Sequence, residues 1–152
     1  MIYRIIAFLI VNFAALGISS YFTGIGVPGD WYINLNKAPW TPPGWVFGAA
    51  WSTIMICFSI YMAYGWGMVS NRKRLATLFV VQWFLNVAWS PVFFFYQNTQ
   101  LGFVVIASLA IVVGYMLFSY GRKFKSYSYL LLPYFLWLVL ASSLNGYILF
   151  NN

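Results

Sequence analysis

A polar loop turns into a long apolar helix within residues 40–51, which read WTPPGWVFGAAW. Pro42 and Pro43 have no backbone N–H and a fixed φ angle, so the pair suits a first helical turn, where N–H groups have no intrahelical partner. The free amides and the helix dipole at such a start favour an anionic group. Trp45 and Trp51 add flat aromatic faces further along. The segment therefore predicts a helix start that could hold a wide, flat, acidic molecule.

The composition is that of an integral membrane protein. Of the 152 residues, 63% are hydrophobic and 6% are charged, whereas about 25% of a soluble globular domain is charged. Apolar runs close to the ~20 residues that cross a bilayer repeat along the chain. They predict one all-α domain, residues 1–152, built as a bundle of five transmembrane helices at about 2–21, 43–67, 75–96, 101–120 and 128–150.

The first apolar run leaves one alternative open. Arg4 precedes it, and Gly17-Ile18-Ser19 resembles the small-residue site at which a signal peptide is cleaved. We favour a membrane helix because the run is longer than a usual signal-peptide core and because the other four helices need partners.

The chain has a net charge of +7, and the positions of its basic residues indicate how it is oriented in a membrane. Basic residues occur at the N-terminus, in the second connection and in the fourth: Arg4, Arg72, Lys73, Arg74, Arg122, Lys123 and Lys125. In a serpentine of five helices these three places lie on one side, which the positive-inside rule makes cytoplasmic. We therefore expect the N-terminus inside, the C-terminus outside, contacts to anionic lipid headgroups and no nucleic-acid partner.

The first connection, residues 23–41, is long, and loops of this length in a compact chain tend to be functional or disordered. Asp30, the only acidic side chain, is expected to cap a short helix that runs to about Leu35. The aromatic residues of the connection argue for order: Trp31, Tyr32 and Trp40. They could cover the outer mouth of the bundle as a lid, or anchor the chain at the membrane interface. We call this connection the lid loop.

Gln82, Asn86 and Ser90 are spaced i, i+4, i+8 in the third helix and therefore share one face. An amide in hydrocarbon is costly without a partner, so this stripe should face the interior of the bundle. Interhelical hydrogen bonds and contact with a ligand both fit such a stripe. Pro91 follows and frees a carbonyl group near Val87, at about the same level.

Two tryptophans lie too deep in the membrane to be interfacial anchors. At 1.5 Å per residue, Trp51 lies roughly 12 Å below the outer end of its helix, and Asn86 and Trp137 lie roughly 16 and 13 Å above the inner ends of theirs. Across a core of ~30 Å these residues fall near one level. Ala141 and Gly48 leave room beside the aromatic surfaces. We expect a ligand pocket at this level, in preference to plain core packing.

The fourth helix has few features apart from small residues at Ala107, Ala110 and Gly114. Such residues let helices approach closely, so they predict a packing seam, either within one chain or between two chains.

The residues present exclude most active-site chemistry. The chain has no histidine and no carboxylate in an apolar run, so we expect no metal, no resident cofactor and no carboxylate acid–base pair. Ser52, Ser90 and Ser142 have no base beside them for nucleophilic catalysis. Cys57, the single cysteine, can form no intrachain disulfide. What remains is a binding site for a flat apolar molecule.

The sequence resembles the TspO/MBR family, the tryptophan-rich sensory proteins and translocator proteins that are also called peripheral benzodiazepine receptors. The resemblance covers nearly the whole chain and is most specific in WTPPGWVF at residues 40–47 and LNVAWSP at residues 85–91. It extends to further residues: Trp31, Tyr32, Trp51, Gln82, Pro133, Tyr134, Trp137, Leu144 and Asn145.

The resemblance implies a five-helix bundle in a bacterial inner (cell) membrane, often a homodimer, that binds porphyrins such as protoporphyrin IX and flat synthetic drugs. It implies that the pocket opens toward the lid loop, and that light-dependent breakdown of protoporphyrin uses Trp51 and Trp137 as catalytic residues. Together with the residue patterns above, it gives these expected ligand-binding residues: Trp31, Tyr32, Trp40, Pro42, Gly48, Trp51, Gln82, Asn86, Trp89, Ser90, Trp137 and Ala141.

Three functions stay open at this point. The first is a porphyrin-binding sensor, with or without photo-oxidative turnover; the second is a transporter of tetrapyrroles or other amphipathic metabolites; the third is a scaffold whose pocket holds lipid. An odd number of spans without an internal repeat speaks against the transporter. The sterol-recognition pattern of some family members is not intact, because Gly146 stands where its tyrosine would fall.

Overall fold

The computed structural model covers residues 1–152 and confirms the all-α prediction. Its helices are α1 (Ile2–Gly26), α2 (Asp30–Asn34), α3 (Gly44–Met68), α4 (Arg72–Ser90), α5 (Thr99–Phe124) and α6 (Leu132–Asn151). All but the short α2 are long helices, which gives the expected five. Four helical stretches are long and apolar enough to cross a membrane, and the fourth, Thr99–Asn151, has 53 residues because it contains both α5 and α6.

The chain reverses between α5 and α6 at Lys125, whose φ of 51° ends α5. A 3-10 segment, Lys125–Leu131, then leads into α6. The two helices run antiparallel and close together: a Cβ atom on Gly114 would lie 2.9 Å from the ring of Phe135. The predicted small-residue seam therefore serves, at Gly114, to pack α5 against α6 within one chain.

The five long helices form a ring in the order α1, α3, α6, α5, α4. The amide of Asn12 on α1 donates to the hydroxyl of Ser59 on α3 at 2.8 Å. On the other side of α1, the indole N–H of Trp83 on α4 donates to the carbonyl of Val11 at 3.0 Å. The middle of the ring is filled by large buried side chains, including Phe58, Tyr61, Met62, Leu109 and Tyr134.

The helix ends differ from the predicted ranges for identifiable reasons. α1 continues past residue 21 to Gly26 because no proline interrupts it before Pro28. α4 begins at Arg72, earlier than predicted, because the side chain of Asn71 accepts a hydrogen bond from the backbone N–H of Arg74 and caps the helix. α6 begins later than predicted, because the residues before Leu132 form the 3-10 segment.

Two predicted helix starts are wrong by one residue. Pro43 does not lie in the first turn of α3 but caps it, with an extended ψ of 148°, and the helix begins at Gly44. Asp30 is the first residue of α2, while Gly29 is its cap and no side-chain capping bond forms. The carboxylate of Asp30 still lies where the helix dipole favours a negative charge.

The interruption predicted at Pro91 takes the form of a wide, π-helical turn, Pro91–Phe95, that continues α4. Proline lacks the N–H that a regular α-turn would use. The backbone N–H of Tyr96 donates to the carbonyl of Pro91 at 3.0 Å and closes the turn. The turn carries Phe93 and Phe94 into the bundle, where both are buried.

The two ends of the bundle differ in charge. What we call the basic end carries Arg4, Arg72, Lys73, Arg74, Arg122, Lys123 and Lys125. What we call the lid end carries α2, the rest of the lid loop and the end of α6. Lys37 is the only basic residue near the lid end.

Candidate functional site

The polar stripe on α4 faces the interior, and two of its three members are bonded to other helices. Gln82, Asn86 and Ser90 are 1%, 7% and 2% exposed. The hydroxyl of Tyr134 donates to the side-chain carbonyl of Gln82 at 3.0 Å, and the hydroxyl of Ser90 lies 3.3 Å from that of Thr23. Asn86 makes no side-chain hydrogen bond, and its amide atoms are not among the sealed, unpartnered polar atoms. Its amide is therefore accessible, and we call the space beside it the candidate pocket.

The aromatic ring of Trp51 lies at the bottom of this space. Trp51 is half-buried and meets Tyr134 edge to face, with 5.9 Å between ring centroids. Tyr134 in turn meets Phe58 at 5.4 Å, and below that level Phe58, Tyr61 and Met62 are fully buried. The half of the bundle toward the basic end is therefore closed, and any internal pocket lies toward the lid end.

Trp137 lies nearer the lid end than Trp51 does. Its ring meets Phe47 edge to face at 5.3 Å, and Phe47 precedes Trp51 by about one helical turn, or ~6 Å. The two tryptophans thus line successive levels instead of the single level that depth alone predicted. Trp137 stands at the edge of the seam between α3 and α6.

Glycine leaves room on the inner side of α3. Gly48 lies one helical turn before Trp51, and Gly44 lies two turns before it. Both glycines are on the same side of α3 as Trp51 and Met55. A Cβ atom on either glycine would meet nothing within 4 Å. Two positions on the inner side of α3 between Trp51 and the lid end therefore carry no side chain, across the ring from Asn86.

Trp89 on α4 and Ala141 on α6 are linked through Asn145. The indole N–H of Trp89 donates to the side-chain carbonyl of Asn145 at 3.2 Å, and the amide of Asn145 donates to the backbone carbonyl of Ala141 at 2.9 Å. Trp89 also stacks on Phe93, with 5.4 Å between centroids. The buried Asn145 therefore fixes the orientation of Trp89.

The first half of the lid loop packs over the end of α4. Trp31 meets Phe93 at 5.5 Å and Tyr32 meets Phe94 at 5.3 Å, both edge to face. Lys37 places its ammonium group 4.6 Å from the centre of the Tyr32 ring. Burial raises the pKa of Tyr32, because the phenolate would lose hydration.

Other predicted aromatic residues lie outside this region. Trp40 is 52% exposed and packs on the outer side of α6, where its indole N–H donates to Ser143 at 3.2 Å. Pro42 is half-buried in the short segment that connects Trp40 to α3. Trp45 is 75% exposed and points away from the ring. The flat face expected of Trp45 at the start of α3 is therefore not turned toward the pocket.

Three residues that contribute to the region were not among the predicted site residues. Tyr134 and Asn145 hold Gln82 and Trp89 in place. Ser19 on α1 has a buried hydroxyl group without a partner. It lies one turn before Thr23, and Asn86 lies one turn before Ser90, the residue that Thr23 contacts. Two signals in the sequence point to Asn145: it follows Ala141 by one helical turn, and it is among the residues that carry the family resemblance.

Two open cavities lie elsewhere on the surface. A groove of about 450 Å³ runs between α3 and α6 on their outer side and is lined by Val46, Ala49, Ala50, Thr53, Ile54, Pro133, Leu136, Trp137 and Leu140. A depression of about 700 Å³ surrounds residues 69–73 at the basic end. Of the predicted site residues, only Trp137 lines either cavity. No group of three or more histidine, cysteine, aspartate or glutamate side chains is present that could hold a metal ion.

The fold and the site define an integral membrane protein of five spanning helices whose aromatic and amide side chains gather in one half of the bundle. The sequence profile described as the TspO/MBR family matches residues 6–150. The chain belongs to this family.

Relatives from three groups of organisms are similar over most of their length. The tryptophan-rich protein TspO of Archaeoglobus fulgidus is 36% identical over 146 residues, which is 95% of this chain and 92% of the relative. The protein CrtK of Rhodobacter capsulatus is 33% identical over 143 residues, with 89% and 86% covered. The translocator protein of the sheep, Ovis aries, is 30% identical over 137 residues, with 84% and 76% covered.

Proposed function

We propose that this chain is a membrane receptor or sensor that binds porphyrins of the protoporphyrin IX type, and other flat apolar molecules, in the pocket between Trp51 and the lid loop. The amide of Asn86 is the observation that carries the proposal: it lies deep in the bundle, is 7% exposed and has no partner in the protein. An unpaired amide in hydrocarbon costs several kcal/mol. A polar group on a bound ligand would remove that cost.

The walls of the pocket suit a flat ring system. Trp51 and Trp137 offer aromatic surface on one side, and Gly48 leaves space beside them. Aromatic groups pair favourably when stacked with an offset or edge to face. The carboxylates of a porphyrin would point to the lid end, where Lys37 and the first amides of α3 provide positive potential. We propose that Trp31, Tyr32, Gln82, Trp89, Ser90 and Ala141 complete the site, with Trp40 and Pro42 acting through the lid loop.

A transporter of tetrapyrroles or other amphipathic metabolites is the second candidate, favoured by the name translocator protein of the sheep relative. Closure of the basic half of the bundle speaks for a receptor, because Phe58, Tyr61 and Met62 leave no route past Tyr134. Uptake of protoporphyrin IX by proteoliposomes separates the two: a receptor leaves the rate at that of empty liposomes.

Light-dependent breakdown of the bound porphyrin is proposed as an activity of the same site. Light excites the porphyrin, and the excited porphyrin takes one electron from a neighbouring indole and passes it to molecular oxygen, which becomes superoxide. The indole radical regains its electron from the porphyrin, and the porphyrin radical cation combines with superoxide, so that oxygen is added to the porphyrin ring. Trp51 and Trp137 are the indoles assigned to this step, because both border the pocket through half-buried rings.

Orientation and assembly are proposed on the charge distribution and on family membership. The basic end faces the cytoplasm of a bacterial cell, with the protein in the inner membrane, and the chain forms a homodimer surrounded by lipid. A cysteine introduced at Ser70 should then be protected from an impermeant maleimide in intact cells, while one at Asn34 should react.

Light scattering of the detergent-solubilised protein should give the mass of a dimer.

The test of the central proposal is a titration of the purified protein with protoporphyrin IX in the dark, followed by tryptophan fluorescence. The proposal predicts saturable quenching at a stoichiometry of one porphyrin per chain. Quenching that rises linearly without saturation, as for a membrane protein without a porphyrin site, would contradict it.

A further inference from the structure

The side chain of Asn152 pairs with the backbone of the lid loop. Its carbonyl oxygen Oδ1 accepts a hydrogen bond from the N–H of Asn36 at 2.8 Å, and its Nδ2 group donates to the carbonyl of Asn36 at 3.2 Å. The second hydrogen of Nδ2 goes to the carbonyl of Ile148 at 2.9 Å, which holds the side chain against α6. One amide thus satisfies both backbone groups of a single loop residue.

Trp40 provides a second connection between the lid loop and α6. Its indole N–H donates to the hydroxyl of Ser143 at 3.2 Å, and that hydroxyl donates to the carbonyl of Leu140 at 2.7 Å. The ring of Trp40 also meets Tyr147 edge to face at 5.4 Å. Residues 36–40 are therefore fixed along the last turns of α6 by directional bonds.

The position of α3 explains why the loop follows α6. Phe47 lies beside Trp137, so the antiparallel α3 begins near the level of Ala141. The remaining ten residues of α6, about 15 Å of helix, have loop in place of α3 as a neighbour.

The other half of the lid loop is held differently. Trp31 and Tyr32 of α2 contact the end of α4 through edge-to-face ring packing on Phe93 and Phe94. Trp31 and Tyr32 contact the bundle through ring packing alone. The two bonds that Lys37 donates, to the carbonyls of Ile33 and Leu35, stay within the lid loop. Ring packing tolerates sliding and separation more readily than a pair of directional hydrogen bonds does.

We propose that Asn152 is a positioning residue that latches residues 36–40 to α6, so that α2 opens and closes over the pocket while this part of the loop stays in place. The inference rests on the proposed function, since it concerns access to the same pocket. Loss of the latch frees the whole loop, which speeds both entry and exit of a porphyrin and changes the equilibrium affinity much less.

The chain offers a matched control for this latch. Asn151 donates from its side chain to the carbonyl of Tyr147 at 2.8 Å, in the same way that Asn152 donates to Ile148, but it does not touch the lid loop. Asn151→Ala therefore removes a comparable bond within α6 alone. Ser143→Ala is a second latch variant, because it removes the acceptor of the Trp40 indole.

The experiment compares Asn152→Ala, Ser143→Ala and Asn151→Ala in lipid nanodiscs. Hydrogen exchange at the Asn36 amide should be roughly 5- to 10-fold faster in Asn152→Ala than in Asn151→Ala, as expected for the loss of one or two exposed hydrogen bonds. Stopped-flow mixing with protoporphyrin IX in the dark should show association and dissociation rates that both rise by a similar factor in Asn152→Ala and Ser143→Ala.

Two results would overturn the inference. Equal exchange at Asn36 in Asn152→Ala and Asn151→Ala would show that there is no latch. Faster exchange with unchanged porphyrin rates would show that the latch does not control access. Absence of porphyrin binding in the wild type would contradict the proposed function, while the exchange rates would still decide whether the latch exists.

Discussion

The hydroxyl group of Tyr134 on α6 donates a 3.0 Å hydrogen bond to the side-chain carbonyl of Gln82 on α4. The two residues lie across the ring from each other and are both buried. The same tyrosine ring meets Trp51 on α3 edge to face. This pair therefore connects three helices at the level where the open half of the bundle meets its closed half.

Replacing Tyr134 with phenylalanine should destabilise the protein. The carbonyl of Gln82 would lose its donor in an apolar interior, at a cost of about 1 kcal/mol. Thermal unfolding in detergent measures this loss. The double variant Tyr134→Phe/Gln82→Leu removes both partners and should recover part of it. A Tyr134→Phe variant as stable as the wild type would show that the bond contributes nothing.

Asn86 and Asn12 should respond in opposite ways to replacement by leucine. Asn86 has no partner, so Asn86→Leu should leave stability unchanged or raise it, while weakening protoporphyrin IX binding by roughly tenfold through loss of one hydrogen bond. Asn12 donates to Ser59 at 2.8 Å in the closed half, so Asn12→Leu should lower stability and leave the affinity unchanged. Dark titrations and thermal unfolding of both variants provide the comparison, and equal affinities would exclude Asn86 from the site.

Trp51→Phe and Trp137→Phe should each slow the light-driven loss of bound protoporphyrin IX. Phenylalanine keeps an aromatic ring at each position but cannot take part in indole oxidation. Trp45→Phe is the control, because this exposed tryptophan lies on the same helix as Trp51 and points away from the pocket. Porphyrin absorbance is recorded under constant illumination at saturating protein. The proposed photochemistry is excluded by identical decay in the wild type and all three variants.

Gly26 at the end of α1 should tolerate no side chain. A Cβ atom there would collide with Phe94 in the π-helical turn, and overpacking of this kind costs about 1–3 kcal/mol. Gly24 lies in the same turn of α1 but has nothing within 4 Å of such an atom. Gly26→Ala should therefore lower the melting temperature and Gly24→Ala should not. Equal melting temperatures would mean that α1 does not contact the turn this closely.

The fold followed from residue patterns that are local in the sequence. Apolar runs of membrane-spanning length gave the five helices, and helical spacing gave the inward face of Gln82, Asn86 and Ser90. The precise ends did not follow from the apolar runs. Asn71 caps α4 through its side chain, which is a local signal that hydropathy does not contain, whereas Pro43 and the 3-10 segment delay helices through backbone geometry.

The arrangement of the site depends on contacts between helices, and these were harder to predict. Nothing in the α4 sequence tells which member of the stripe lacks a partner, since the partners are Tyr134 on α6 and Thr23 on α1. Trp40 is an aromatic residue of the lid loop like Trp31, yet it lies on the outer side of α6, because α3 starts too low to occupy that position.

Order in α2 should decrease under alkaline conditions. Burial raises the pKa of Tyr32, so the phenol is neutral in the folded lid and its contribution to lid stability is complete below about pH 10, the ordinary pKa of tyrosine. That contribution is lost as the pH rises through the higher pKa of the folded state. Near-ultraviolet circular dichroism should show this loss in the wild type, and Tyr32→Phe should remove it. An unchanged alkaline transition in Tyr32→Phe would assign the transition to another group.

The position of the bound porphyrin can be read from the protein itself. The purified protein is saturated with protoporphyrin IX in the dark, given a brief light dose in oxygenated buffer and analysed by mass spectrometry for oxidised tryptophans. A porphyrin in the proposed pocket oxidises Trp51 and Trp137 first and leaves Trp45, and Trp66 beside Phe8 in the closed half, unmodified. Oxidation of Trp45 or Trp66 to the same extent as Trp51 would contradict a pocket between Trp51 and the lid loop.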